Sequence, residues 1–271
     1  MRRINALAIL TFKEGIRERA LYGITIVALL MLVATIIVIG LFGHGVGKVL
    51  VDLNLSTIAF SGIILVFFVN INLMAKDIDK RTVYCVLSKP ISRTEYIIGK
   101  YLGLGMLIVV CLTFLFCFST GIVLIAKQLH AEYFLREFSW ACYFQAFFYE
   151  LMMFLLMNAI VIFFSSITTS SFLTLIFSVA TYITGHTIEE VIYFFKQGGI
   201  EGNETSVFYI TFMNIIQYIF PNLSVFDIKT FASHGKLLSL SHTAAVSAYC
   251  FIYITLLLFF ASLIFSRREL N

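Results

Sequence analysis

Long uncharged runs alternate with short polar segments along the whole chain. Five long apolar runs contain no Asp, Glu, Lys or Arg: 20–47, 53–75, 101–126, 151–188 and 237–266. A further uncharged apolar stretch, 207–220, ends at Pro221 and is too short to cross a bilayer, so it fits a re-entrant or surface-lying helix. A helix of roughly 20 apolar residues is long enough to cross the hydrocarbon core of a bilayer. The run 151–188 has room for two such helices, and small polar residues at 165–171 interrupt it with a tight turn. The pattern therefore predicts six membrane-spanning helices.

The composition agrees with a polytopic membrane protein. Hydrophobic residues make up 60% of the chain and charged residues 13%, whereas soluble domains contain roughly 25% charged residues. No internal repeat or low-complexity tract divides the chain. We therefore expect an all-α integral membrane protein with six transmembrane helices and one domain over residues 1–271.

The basic residues predict how the six helices are oriented. Six crossings place both termini on one side, and the segments on that side contain thirteen Lys and Arg residues, against six on the other side. Cytoplasmic segments of membrane proteins carry the excess of basic residues. We therefore expect both termini and the segment 76–100 to be cytoplasmic. This excess also explains the net charge of +4, because it attracts anionic membrane lipid and requires no nucleic acid partner.

Labelling of single cysteines tests this topology. We place them at Ile4, His130, Asn203 and Leu270 in a variant without the native cysteines. A membrane-impermeant thiol reagent added from outside should react only at the middle two positions. Reaction at Leu270 would contradict the six-span topology, because it would place the C-terminus outside.

Residues 1–19 predict a helix that lies along the inner membrane surface. Apolar residues recur at helical spacing and charged residues surround the other side: Ile4, Leu7, Ala8, Phe12 and Ile16 against Arg3, Lys13, Glu14 and Arg17. Amphipathic helices of this kind lie in the interface with the apolar face toward the acyl chains. On the outer side, the residues 189–241 between spans five and six form a long external region.

The polar segment between spans two and three predicts a docking element on the cytoplasmic side. Residues 77–87 can form a short amphipathic helix. Pro90 ends it, because proline cannot continue a helix and restricts the residue before it. The segment 76–91 is therefore a candidate coupling helix followed by a sharp turn.

The third span is expected to begin at Ser92. Ser92 and Glu95 have the spacing of a capping box, in which the two side chains satisfy each other's backbone N–H groups. Gly99 and Gly103 follow one turn apart, and this spacing lets another helix approach closely.

Four polar residues within the predicted spans are candidates to line a translocation path. They are Glu150 near the outer end of span four, Asn158 in the same span, and Asn70 and Asn72 in span two. Ionisable residues within a membrane are costly and often functional. The alternative for the asparagines is that they join helices through hydrogen bonds of roughly 0.6 to 2 kcal/mol each. The alternative for Glu150 is a protonated or snorkelling side chain.

The sequence predicts no catalytic residue, no metal site and no cofactor bound by this chain. His186, Glu189 and Glu190 share one helix face but match no established zinc spacing. The five cysteines show no CxxC spacing. The Gly-Lys pairs lack the other residues of a phosphate-binding P-loop, so the chain is not expected to bind ATP by that route.

One segment resembles a known family. Residues 76–93, with the sequence KDIDKRTVYCVLSKPISR, look like the cytoplasmic coupling segment of ABC-2-type transporter permeases. They are most similar to the branch containing the permeases of nitrous-oxide-reductase maturation and of gliding motility. Further motifs agree in order along the chain: TFKE at 11–14, GH at 185–186, PNLSVFD at 221–227 and FSRREL at 265–270.

The resemblance implies that the chain is one half of a transporter. Two copies would form a homodimer and would bind two copies of a separately encoded ABC ATPase, which would hold ATP and Mg²⁺. The residues implied to contact the ATPase are Asp77, Asp79, Arg81, Thr82, Val83, Val86, Leu87, Ser88, Lys89 and Pro90. Closure of the ATPase would then move spans two and three.

The resemblance favours an exporter in a bacterial inner membrane, and an external accessory protein is a further candidate partner. Two alternatives stay open. A permease of the same fold could transmit ATPase motion to an external partner through the region 189–241, with little cargo transport. A channel or ion-coupled transporter would need no ATP and no docking helix, and is expected to carry more paired charges within the membrane.

Overall fold

The computed structural model describes residues 2–39, 46–74, 92–129, 138–196 and 220–267. These residues are almost entirely helical and include no strand, which confirms the all-α prediction. The helices are α1 (Arg2–Ile16), α2 (Arg19–Ile39), α3 (Val46–Ile64), α4 (Arg93–Leu129), α5 (Trp140–Ile167), α6 (Ser171–Lys196), α7 (Lys229–Ser233) and α8 (Leu240–Arg267). A π-helical segment, Leu65–Asn70, continues α3, and a 3₁₀ turn, Ser224–Phe226, precedes α7.

Six helical segments are long and apolar enough to cross a membrane. They are Arg19–Val38, Gly47–Met74, Arg93–Gln128, Trp140–Ile167, Ser171–Val191 and Leu240–Arg267. Within the described ranges, this confirms the predicted number of spans and a multi-pass membrane protein. The cytoplasmic position of both termini stays a prediction.

Several spans begin earlier than the uncharged runs. The fourth span begins at Trp140, although its uncharged run begins only after Glu150. The second begins at Gly47 and includes Asp52. The run 20–47 therefore extends into a second helix. The reason is that a charged residue ends an uncharged run without interrupting the backbone hydrogen bonds of a helix.

The predicted break within the run 151–188 is confirmed. α5 ends at Ile167, and Thr168 adopts an extended conformation with φ −83° and ψ 156°. The Thr168 hydroxyl donates to the carbonyl oxygen of Phe164 at 2.9 Å and lies 2.6 Å from the Thr174 hydroxyl in the next helix. These bonds satisfy polar groups at the turn, so α5 and α6 are separate spans.

The second and fourth spans form the centre of the bundle. In their most apolar stretches 72% and 67% of the residues are buried, against 22%, 28% and 17% for the first, fifth and sixth spans. α5 packs against α3, α4, α6 and α8. The faces of α2, α6 and α8 that point away from the bundle centre are apolar surfaces that face lipid or another protein.

The N-terminal residues form the predicted helix, but its buried face differs from the sequence pattern. α1 lies along α4 and buries Leu7, Ala8, Thr11 and Gly15. Ile16, which the pattern placed on the apolar face, is 37% exposed. The buried face is the one with smaller residues, because these let two helices approach closely. The position of α1 at the membrane surface stays a prediction.

Gly99 and Gly103 of α4 mark the contact with α1. A Cβ atom at Gly103 would lie 2.6 Å from the carbonyl oxygen of Ala8 and 2.7 Å from the Thr11 Cβ. A Cβ atom at Gly99 would lie 2.7 Å from the Leu7 side chain. The close approach that the glycine spacing predicted therefore occurs, and the approaching helix is α1.

The start of α4 has the predicted capping box. The Ser92 backbone N–H donates to the Glu95 carboxylate at 2.9 Å, and the Glu95 N–H donates to the Ser92 hydroxyl at 3.2 Å. The coupling segment 76–91, with its ten implied ATPase contacts, lies outside the described residues. Its helix and its docking role stay predictions.

Candidate functional site

Two of the four predicted path residues meet in the centre of the bundle. Asn70 and Asn158 are fully buried, and the Asn70 Nδ2 donates to the Asn158 Oδ1 at 2.9 Å. The Asn158 Nδ2 in turn donates to the backbone carbonyl of Tyr101 at 3.2 Å. The asparagines thus join spans two, three and four, as the helix-joining alternative requires. Asn72 is exposed and belongs to neither this pair nor its surroundings.

Asn70 is the last residue of a π-helical segment. Leu65–Asn70 has the wider π-helical turn, and five of its six residues are buried. Short π-helical segments inside α-helices are rare and often occur at functional sites. Phe67 in this segment contacts Tyr182 of α6 edge-to-face, with ring centroids 5.9 Å apart. The segment therefore connects the asparagine pair to Tyr182 in span five.

A double-mutant cycle should show that Asn70 and Asn158 stabilise the bundle together. Asn158→Leu removes the acceptor of the Asn70 amide and should lower the free energy of unfolding by about 1 to 3 kcal/mol. Asn70→Leu combined with Asn158→Leu should cost less than the sum, with a coupling energy of about 0.6 to 2 kcal/mol. Unfolding in mild detergent measures the four proteins. Additive effects would contradict the paired arrangement.

Glu150 lines a cavity in the half of the bundle that the predicted topology places toward the outside. It lies ten residues after the start of α5 at Trp140, or about 15 Å along the helix. Its side chain is 2% exposed, and neither carboxylate oxygen has a hydrogen-bond partner among the described residues. The cavity has a volume of about 190 Å³ and is lined by residues of α3, α5, α6 and the segment after Pro221. Glu150 is therefore a buried group within a span rather than a snorkelling side chain.

The segment that closes the cavity is held against α6 by close contacts. The Leu223 backbone N–H donates to the Gly185 carbonyl at 2.9 Å. A Cβ atom at Gly185 would lie 2.7 Å from the Pro221 carbonyl oxygen, so only glycine allows this approach. One turn further, the Glu189 carboxylate accepts hydrogen bonds from the Asn222 amide and the Ser224 hydroxyl. The motifs at 185–186 and 221–227 therefore pack on each other.

Three further polar residues of the lining are His186, Asp227 and Lys229. His186 lines the cavity, and its buried Nε2 has no hydrogen-bond partner among the residues that the structure describes. Asp227 and Lys229 form an ion pair at 3.8 Å, with side chains 42% and 21% exposed. Among these polar side chains, exposure thus decreases from Asp227 to Glu150, and the aromatic lining residue Phe60 is also exposed, at 48%.

Comparison with known proteins assigns no family. No protein-family model and no curated protein matches the chain. The likeness of residues 76–93 to ABC-2 permeases is therefore a hypothesis that rests on the residues themselves.

The side chains of His186 and Glu189 do not point to a common position, as metal ligands on the face of His186, Glu189 and Glu190 would. Glu189 binds Asn222 and Ser224, whereas His186 faces the cavity. In the parts of the chain that the structure describes, no three His, Cys, Asp or Glu side chains are grouped as metal ligands would be.

Sequence reasoning identified Glu150 but missed the residues that surround it. Phe226, Asp227 and Lys229 belong to the predicted external region, yet they pack back against the spans. The motif at 221–227 was the available signal for Phe226 and Asp227, although it did not show what they contact, and Lys229 lies outside it.

Proposed function

We propose that this chain is the transmembrane permease subunit of an ABC transporter, driven by a separately encoded ATPase. The observation that supports the proposal best is the junction beside the segment 76–91. The second span ends just before this segment, and α4 begins just after it with a reciprocal cap at Ser92. A partner that moves the segment would therefore pull on two spans at once.

An ion pair between a buried lysine and a half-exposed glutamate extends this junction to α1. The Lys100 Nζ lies 3.7 Å from the Glu14 carboxylate and donates to the Leu73 backbone carbonyl at 3.2 Å. Lys100 is 3% exposed, whereas the Glu14 side chain is 48% exposed, so solvent screens part of their attraction. It connects α1, the end of span two and the start of span three. Motion of the docking segment would thus reach the N-terminal helix as well.

In the proposed transporter, two copies of this chain form a homodimer. The apolar outer faces of α2, α6 and α8 offer surface for a second copy and for membrane lipid. The ATPase, in two copies, would bind ATP and Mg²⁺ on the cytoplasmic side. We propose export across a bacterial inner membrane, with both termini cytoplasmic.

Copurification tests the class of protein. The chain, expressed in its native host cells and extracted in mild detergent, should retain an ATP-hydrolysing subunit at one copy per permease chain. Hydrolysis should depend on that subunit and not on the permease alone. Transport by the purified chain in vesicles without any ATPase would instead identify a channel or ion-coupled transporter.

A second candidate function is transmission of ATPase motion to an external partner. It is favoured by the packing of the outer segment 220–239 against the spans, through the Gly185 contact and through α7 on α3 and α5. Motion of the spans would therefore move a surface outside the membrane. ATP hydrolysis that responds only to an external protein, with no cargo movement in sealed vesicles, would favour this function over export.

A further inference from the structure

The Glu150 carboxylate lacks the partner that a buried charge requires. Both oxygens are buried without a hydrogen-bond partner in the described part of the chain, and Glu150 is one of the residues that line the cavity. A buried carboxylate is strongly unfavourable unless it binds a cation, a hydrogen-bond donor or a proton. The cavity that Glu150 lines is therefore a candidate binding site for the missing partner of this carboxylate.

The charges around the cavity favour a cationic occupant. Lys229 is the cationic side chain of the lining, and it already pairs with Asp227 at 3.8 Å. The net charge of that pair is close to zero, so the Glu150 carboxylate has no cationic side chain in the lining to balance its own charge. An anion would meet Glu150 with repulsion, and an apolar molecule would leave the carboxylate without a partner.

The walls favour an organic ammonium group over a bare metal ion. Phe60, Tyr182 and Phe226 line the cavity, and aromatic rings attract ammonium groups through their negative faces. A hard metal ion prefers a shell of several oxygen ligands. Around Glu150 the described residues supply no cluster of three candidate metal ligands. One carboxylate with several aromatic rings is the combination that suits an alkylammonium ion.

We infer that the cavity between α3, α5, α6 and the segment at Phe226–Asp227 binds a small organic ammonium group, with Glu150 as its counter-ion. The volume of about 190 Å³ is below the roughly 300 Å³ at which pockets for drug-sized ligands begin, so the ligand is a small head group. The ammonium group occupies the space lined by Glu150 and the aromatic residues. It belongs to a free amine or to the ethanolamine head of a lipid. The site is independent of the proposed ATPase partner.

Binding to the full chain without any ATPase tests this site. The protein is placed in nanodiscs of phosphatidylglycerol, which has no ammonium group, and titrated calorimetrically with methylammonium and tetramethylammonium chloride at constant ionic strength in NaCl. Both should bind saturably, and tetrabutylammonium should not, because it exceeds the cavity. Glu150→Gln keeps the size of the side chain and should weaken binding at least about tenfold. Asp52→Asn, which neutralises an exposed carboxylate on α3 outside the cavity, should bind like the wild type.

Phe226→Leu provides a second variant that keeps the carboxylate and removes one aromatic wall. It should weaken tetramethylammonium binding by about threefold or more.

Repeating the titration in nanodiscs with phosphatidylethanolamine distinguishes the two sources of the ammonium group. Competition by this lipid identifies a lipid head group, and unchanged binding identifies a free amine. The inference is overturned by the absence of saturable binding to the wild type, by equal displacement with sodium, or by undiminished affinity in Glu150→Gln. The wild-type size series decides the question even if a variant does not fold.

Discussion

Replacing Gly103 with leucine is expected to separate α1 from α4 and to lower the free energy of unfolding by about 3 kcal/mol or more. The first added carbon would already lie 2.6 Å from the Ala8 carbonyl oxygen, which belongs to the backbone and cannot rotate away. The remaining carbons of leucine would extend further into α1. The whole helix must therefore move. Thermal unfolding in detergent measures the loss, and faster amide hydrogen exchange in α1 locates it.

Gly121→Leu is the matched control for this substitution. Gly121 lies on the same helix, and a Cβ atom there would meet no atom within 4 Å among the described residues. Replacing glycine within a helix normally gains up to about 1 kcal/mol through helix propensity. We therefore expect Gly121→Leu to be neutral or stabilising. Equal destabilisation by both substitutions would contradict the assigned α1–α4 contact.

Features that depend on neighbouring residues were predictable from sequence. The six spans follow from the lengths of uncharged runs, and the start of α4 follows from Ser92 and Glu95, which are three residues apart. The break near Thr168 follows from a local cluster of small polar residues. In each case the physical cause acts within one or two helical turns, so the order of residues is sufficient.

Features that depend on packing between distant segments were not predictable in the same way. Asn70 and Asn158 were identified as polar residues within spans, but only the packed bundle places their amides 2.9 Å apart. The cavity likewise needs Glu150, His186 and Asp227 from three separate parts of the chain. The buried face of α1 differed from the pattern because close helix contact selects small residues, whereas the pattern selects large apolar ones.

Val83→Asp and Leu87→Asp should each remove the ATPase from the purified complex. Both residues lie on the apolar side of the predicted amphipathic helix at 77–87. An aspartate there would place a charge without a partner in an apolar contact, at a cost of about 2 kcal/mol or more, which weakens binding at least about thirtyfold. The membrane domain should stay folded, because the predicted helix lies between the second and third spans and leaves both intact.

The amount of ATPase bound per permease chain after purification is the measurement that tests the account most directly. The wild type and the conservative variants Val83→Ile and Leu87→Met should retain one ATPase per chain and hydrolyse ATP. Val83→Asp and Leu87→Asp should purify with the wild-type yield and elution volume but without the ATPase. A full complement of active ATPase on both aspartate variants would contradict the docking role of the segment 76–91 and the mechanism built on it.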